Sequence, residues 1–180
     1  LGAPAQAVTF LRQAVEVTTF DGEKAELLEQ AAENAHAAGQ LEMAETLLAQ
    51  AVELREQGAD DAATANALRL GVDVLVSARK RDEAIKEIER VLARFGDLGD
   101  DPRWVRVLVT AARVHQLQGS YDRSTELSRI ALARAERTGQ IDAAARCLHL
   151  NGQAAFFQGR LWEGRALSLG AGELAEQAGL

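Results

Sequence analysis

The chain has 180 residues, 47% hydrophobic and 26% charged, enough for one domain with a continuous core and too apolar for a disordered segment. Aromatic residues are only 4% and prolines 2, which argues against a β-sandwich or barrel, while the text is rich in the strong helix formers Ala, Leu, Glu, Arg and Gln. The net charge of −7 argues against general affinity for nucleic acid or an anionic membrane, and no apolar run approaches the roughly 20 residues of a membrane span.

From the N-terminus, a leading helix is expected over 4–19, within a segment 1–20. The sequence starts at Leu1, not Met, inside this helical pattern, so it is expected to be a piece of a longer protein. A first hairpin is expected over 21–58, with helices 23–38 and 41–57. Leu28, Ala31, Ala32 and Ala35 share one face of its first helix, and Leu41, Ala44, Leu48, Ala51 and Val52 form the stripe of its second. Gly39 stops the first helix, because glycine takes a positive φ at a helix end without steric cost. The second hairpin, 59–98, has helices 61–78 and 81–95, and Asp60 and Asp61 suit the positive end of a helix dipole. Val72, Val74 and Val76 alternate like a strand, but their place in the repeat below makes them helical. In the third hairpin, 99–138, Asp101 is the expected cap and Pro102 lies in the first turn of helix 102–118, followed by helix 121–137. The fourth, 139–180, has helices 141–158 and 161–178, starts near Asp142, and places Gly164 and Gly172 inside a helix.

The hairpins repeat every 40 residues. Gly39, Arg79, Gly119 and Gly159 align at this shift. So do Ala44, Ala84, Ser124 and Gly164; Ala51, Val91, Ala131 and Ala171; Leu28, Leu68, Leu108 and Leu148; and Gly99, Gly139 and Gly179. Small residues recur where two helices cross closely. The predicted class is therefore an all-α, right-handed solenoid of about nine helices, read as a single domain 1–180. The phrases AAGQLEMAETLLAQAVEL and LQGSYDRSTELSRIALARA resemble the second half of a tetratricopeptide repeat, with a period of 40 in place of about 34. Phrases such as LGDDP and ERTGQ, with the Ala- and Arg-rich text, resemble the C-terminal helical repeats of bacterial signalling ATPases. Some of those carry an adenylate/guanylate cyclase domain and others a LuxR-type transcriptional regulator's DNA-binding domain. No cyclase, ATPase or helix-turn-helix motif is present in this chain.

Candidate chemistry is sparse. There is no P-loop. In GDLGDDP, Asp97, Asp100 and Asp101 suggest a capped turn between repeats ahead of a calcium loop, since the alternating spacing of an EF-hand is missing. His36, His115 and His149 have no further ligands at i+3 or i+4, so a metal is not expected. Cys147 is the only cysteine; it lies two residues from His149, which points the two to different sides of a helix, and it reads as a structural thiol. No cofactor and no enzymatic activity are expected. Glu26, Glu29 and Glu33 share one helix face, read first as solvated and second as a docking surface.

By the tetratricopeptide resemblance, the first helices of the hairpins line a concave groove. Registering this sequence on that pattern places Glu26, Glu29, Glu33 and His36, then Asn66, Arg69, Asp73 and Val76, then Arg106, Val109, Arg113 and Gln116, and finally Arg146, His149, Gln153, Phe156 and Phe157 along it. The expected binding residues are Arg106, Arg113, Arg146, His149, Gln153, Phe156, Phe157, Arg69 and Asn66. The Lys of the family's carboxylate clamp is missing. The function expected is a cytoplasmic, non-catalytic interaction and regulatory module, whose groove takes a protein or peptide, an acidic one among the candidates, or another domain of the same chain. The alternative is a sensor holding a small inducer in an aromatic cavity near Trp104, Phe156, Phe157 and Trp162.

Overall fold

The computed structural model describes residues 3–179, so Leu1, Gly2 and Leu180, the outermost residues of the expected leading and fourth segments, lie outside the described residues. Among the described residues there are nine α-helices and no strand: α1 (Ala3–Val17), α2 (Asp21–Ala37), α3 (Leu41–Glu56), α4 (Asp61–Ser77), α5 (Arg81–Phe95), α6 (Pro102–Leu117), α7 (Tyr121–Thr138), α8 (Ile141–Phe157) and α9 (Leu161–Gln177). The fold is the all-α array of helical hairpins that the periodicity implies. The alternating valines lie in α4, where Val72 and Val74 are both buried.

The turns inside the hairpins share one construction. At the end of α2, Gln40 N–H donates to Ala35 C=O and Gly39 N–H to His36 C=O. This pair of bonds satisfies carbonyls that a helix end leaves open. The same pair follows α4 (Lys80 to Leu75, Arg79 to Val76), α6 (Ser120 to His115, Gly119 to Gln116) and α8 (Arg160 to Ala155, Gly159 to Phe156). It requires a left-handed residue at the third turn position. Gly39, Gly119 and Gly159 supply it with φ between 75° and 79°, and Arg79 adopts φ 62°, the single non-glycine at positive φ among the described residues. The repeat imposes the conformation even where the sequence lacks the glycine.

The helices gather into two compact units, one ending at Lys80 and one beginning at Arg81. In the first, α2 packs on α1 and α3, and α4 on α3 and α2. Its core joins Val8 of α1 to Leu28, Ala31, Ala32 and Ala35 of α2, Ala44, Leu47, Leu48 and Ala51 of α3, and Leu70 and Val74 of α4. In the second unit, α5, α6, α7, α8 and α9 pack in sequence, and α6 also touches α8. Trp104, Val105 and Val107 of α6, Ile88 and Val91 of α5, and Cys147 of α8 are fully buried there.

The small-residue columns sit at the crossings. Ala44, Ala84 and Ser124 are wholly buried, as are Ala51 and Ala131, and Ala171 is nearly so. Their α9 counterpart Gly164 is held tighter still: an added Cβ would stand 2.7 Å from the Phe156 ring and 2.8 Å from the Gly152 carbonyl oxygen. Gly152 faces it across the α8–α9 crossing, where a Cβ would stand 2.8 Å from Ser168 Oγ. Gly152 and Gly164 are what let α8 and α9 approach, whereas Gly172, the other α9 glycine that the sequence singles out, faces open space.

Candidate binding surface

In the second unit, α6 and α8 are the first helices of consecutive hairpins, and their contact is marked by a hydrogen bond from Gln116 Nε2 to Gln153 Oε1, 2.6 Å. Gln116 and Val109 are buried against this seam, while Gln153 is half-buried. Arg106 and Arg113 are exposed on α6, and Arg146 and His149 are exposed on α8. The 37-residue offset of the Gln116–Gln153 bond sets the register of the two helices. By that register, Arg146 lies level with Val109 and Arg113 level with Leu150, one residue past His149. Arg106, Arg113, Arg146 and His149 are thus four exposed side chains on two touching helices, in a chain of net charge −7.

The two phenylalanines have other neighbours. Phe157 stacks on Tyr121 of the preceding hairpin, ring centroids 5.0 Å apart at 15°, and the Phe156 ring covers the backbone at Gly164. Trp104 and Trp162 do not share one enclosed cavity with them. Trp104 is 1% exposed in the core whereas Trp162 is 82% exposed on α9. Helix rotation sends the first inward and the second to solvent.

In the first unit, Arg69 lies between two acceptors on its own helix: its Nε donates to Asn66 Oδ1 at 3.1 Å and its Nη1 to Asp73 Oδ2 at 2.7 Å. Asn66, Arg69 and Asp73 form one polar cluster on α4, beside a half-buried Val76. His36 Nε2 of α2 meets Ser77 Oγ of α4 at 2.6 Å. The acidic face of α2 is not uniformly solvated. Glu26 and Glu33 are exposed, but Glu29 is buried and accepts from Arg55 Nε of α3 at 2.7 Å. Burial raises the Glu29 pKa above the usual carboxylate value, against the lowering effect of Arg55.

The turn 96–101 is a clasp. Arg134 of α7 donates to both carboxylate oxygens of Asp97, at 2.8 and 2.7 Å, and to Gly99 C=O at 2.8 Å. Arg137 grips Asp100 through two bonds of 2.9 and 2.6 Å. Asp101 caps α6 by accepting from Arg103 N–H at 2.8 Å, with Pro102 in the first turn. Asp97 and Asp100 therefore face guanidinium groups, the capped-turn reading of this acidic stretch. Their hydrogen bonds to Arg134 and Arg137 hold both carboxyls below the usual value, and the bond from Arg103 does so for Asp101.

No group of three or more His, Cys, Asp or Glu residues that could hold a metal occurs among the described residues, and no helix is long and apolar enough to cross a membrane. Cys147 is fully buried and burial pushes its thiol up to about 11. A neutral, inaccessible thiol is no nucleophile, and His149 is turned to solvent. Cys147 and His149 therefore form no nucleophile–base pair. Two further contacts lay outside the sequence reading. His115 Nε2 meets Glu89 Oε1 of α5 at 2.6 Å, and Arg134 and Arg137 close the clasp. Only the recurring bonds from Gln118 to Asp82 and from Gln158 to Asp122, one period apart, left a signal the repeat could have disclosed.

No protein-family model and no curated protein matches the chain. Solved structures do match its fold. Aspartyl phosphate phosphatase F from Bacillus subtilis aligns with TM-score 0.76 at 16% identity over 96% of this chain and 46% of its own. The kinesin light chain tetratricopeptide-like repeats from Podosopora anserina align with TM-score 0.68 at 18% identity, over 97% and 88%. A Signal Transduction ATPase with Numerous Domains from Pyrococcus horikoshii, which has a tetratricopeptide repeat sensor, aligns with TM-score 0.71 at 17% identity, over 97% and 27%. The chain thus spans less than half of the first and about a quarter of the third. At these identities the likeness establishes a tetratricopeptide-like helical-repeat fold.

Proposed function

We propose that this chain is a non-catalytic interaction module of a larger bacterial signalling or transcriptional regulator, acting in the cytoplasm, and that its second unit binds an acidic segment of a protein partner or of its own parent chain. The observation that carries the reading is the exposure of Arg106, Arg113 and Arg146 on α6 and α8, the two helices that the Gln116–Gln153 bond joins. Arginine holds carboxylates in a planar two-bond fork, so a row of them selects acidic side chains or a terminal carboxylate. Repeat arrays suit such recognition because local stacking alone builds the surface. The tetratricopeptide sensor of the Pyrococcus horikoshii signalling ATPase supports the wider setting.

The test uses fluorescent acidic and basic peptide pools titrated into the wild-type chain and into Arg106→Ala/Arg113→Ala. The acidic pool should bind the wild type and lose at least about tenfold in affinity in the double variant, with circular dichroism unchanged because both residues are exposed. Equal affinity in the two proteins, or preference for the basic pool, overturns the proposal.

A further inference from the structure

α9 carries a stripe of large apolar side chains that no described residue covers. Leu161, Trp162 and Leu169 are 57%, 82% and 60% exposed. The repeat identifies what these positions do elsewhere. One period earlier, Tyr121 stacks on Phe157, and Asp122 Oδ1 accepts from Gln158 at 2.8 Å. Two periods earlier, Asp82 accepts from Gln118, and Glu89, in the column of Leu169, meets His115. These columns are therefore the ones through which the second helix of a hairpin holds the next helix. On α5 and α7, Asp82, Glu89 and Asp122 are polar residues that bond to that neighbour, and Tyr121 stacks on it. On α9 they are Leu, Trp and Leu.

The helix that takes this seat must run antiparallel to α9, as short connections make adjacent helices of the array do. We propose that α9 is a self-association face, on which a second copy of this chain docks through its own α9 about a two-fold axis. Such an axis supplies the antiparallel sense without any further molecule. With the axis at Leu169, the two Leu169 side chains meet. Arg165, four residues before it, then faces Glu173 of the second copy, four residues after its Leu169, and the reciprocal pair forms across the axis. Residues four apart share a helix face, so both pairs and the leucines lie in one plane of contact. Arg165 and Glu173 are exposed and have no hydrogen-bond or ion-pair partner among the described residues. Ala166 falls opposite Gly172, where an added Cβ would meet only open space, so the backbones can approach. Trp162 then reaches across the stem of Glu176 of the second copy at each end. Because one patch serves both sides, the assembly closes at two. Three large apolar side chains per copy place the contact at the small end of specific interfaces, so the dimer is concentration-dependent.

Sedimentation of the chain over roughly 1–200 µM at low salt tests this. A monomer–dimer transition is expected, abolished by Trp162→Glu and unchanged by Phe10→Glu on the exposed face of α1. Arg165→Glu or Glu173→Arg alone should weaken association by about tenfold or more, through two like-charge contacts. Combining the two should restore it to within roughly threefold. All these side chains are exposed, and circular dichroism of each variant verifies the fold. A monomer throughout, a dimer that survives Trp162→Glu, open-ended growth, or a charge swap that fails to restore association each overturns the proposal.

Discussion

Arg79 occupies a backbone position that its neighbours in the repeat give to glycine. Its φ of 62° is a left-handed conformation that costs a residue with a Cβ about 1–2 kcal/mol. The two turn hydrogen bonds from Arg79 and Lys80 hold it there. Arg79→Gly removes that strain but loosens the unfolded chain, which returns part of the gain. The net outcome is stabilisation of up to about 1 kcal/mol, read as a rise in Tm. A fall in Tm would show that the arginine side chain contributes more than its backbone costs. The opposite sign is expected at the small-residue crossings. Ala51 is fully buried, and the space above Gly164 is filled by the Phe156 ring and the Gly152 carbonyl. Ala51→Leu and Gly164→Ala should each destabilise by roughly 1–3 kcal/mol through overpacking. Unchanged thermal melts would mean that the helices separate at those points at no cost.

At the scale of elements, the turn between α5 and α6 is fixed by carboxylates that must stay ionised. Asp97 and Asp100 titrate below their ordinary 3.8 because they accept from Arg134 and Arg137. Asp101 does so because it accepts from Arg103. A carboxyl with a folded pKa below its unfolded one favours the fold above the unfolded value and loses that contribution as pH falls through the folded value. The clasp and cap should therefore be intact at pH 5 and above, and weaken progressively below about pH 4. Both tryptophans belong to the second unit, so their fluorescence reports it alone. Its melting temperature should drop on acidification, and Arg134→Ala/Arg137→Ala should flatten that pH dependence while lowering the midpoint at neutral pH. Glu29 in the first unit has the reverse linkage. Its raised pKa gives a contribution present below the unfolded value and lost as pH rises through the folded one. An acid melt that ran in parallel for the wild type and the arginine variant would remove the clasp from the account.

At the scale of the molecule, charge is partitioned along the chain. Residues 1–60 hold 11 acidic and 3 basic residues, whereas 61–180 hold 16 and 17. The exposed arginines of α6 and α8 are thus a local departure in an acidic protein. Binding there rests on exposed charges screened over about 8 Å at physiological ionic strength. Raising salt from about 50 to 500 mM should weaken the acidic peptide progressively, and the slope of log affinity against log salt should flatten in Arg106→Ala/Arg113→Ala. Salt-independent binding would point to apolar contacts instead.

The amino-acid sequence by itself determined the helices, their turns and the small-residue columns. Each of these is a local or periodic property: an apolar face at helical spacing, a glycine or its substitute after each first helix, a small residue every 40 positions. It also marked Arg106, Arg113 and Arg146 as candidates, by column. It could not rank polar residues within one face. Glu29 shares its face with Glu26 and Glu33 yet is the one covered by Arg55, because the degree of helix rotation against α3 decides which carboxylate is desolvated. For the same reason Phe157 went to Tyr121, Trp104 to the core and Trp162 to solvent. Only tertiary packing set these fates, since period and composition fix which way a helix is amphipathic but not which neighbouring side chain reaches across to close each gap.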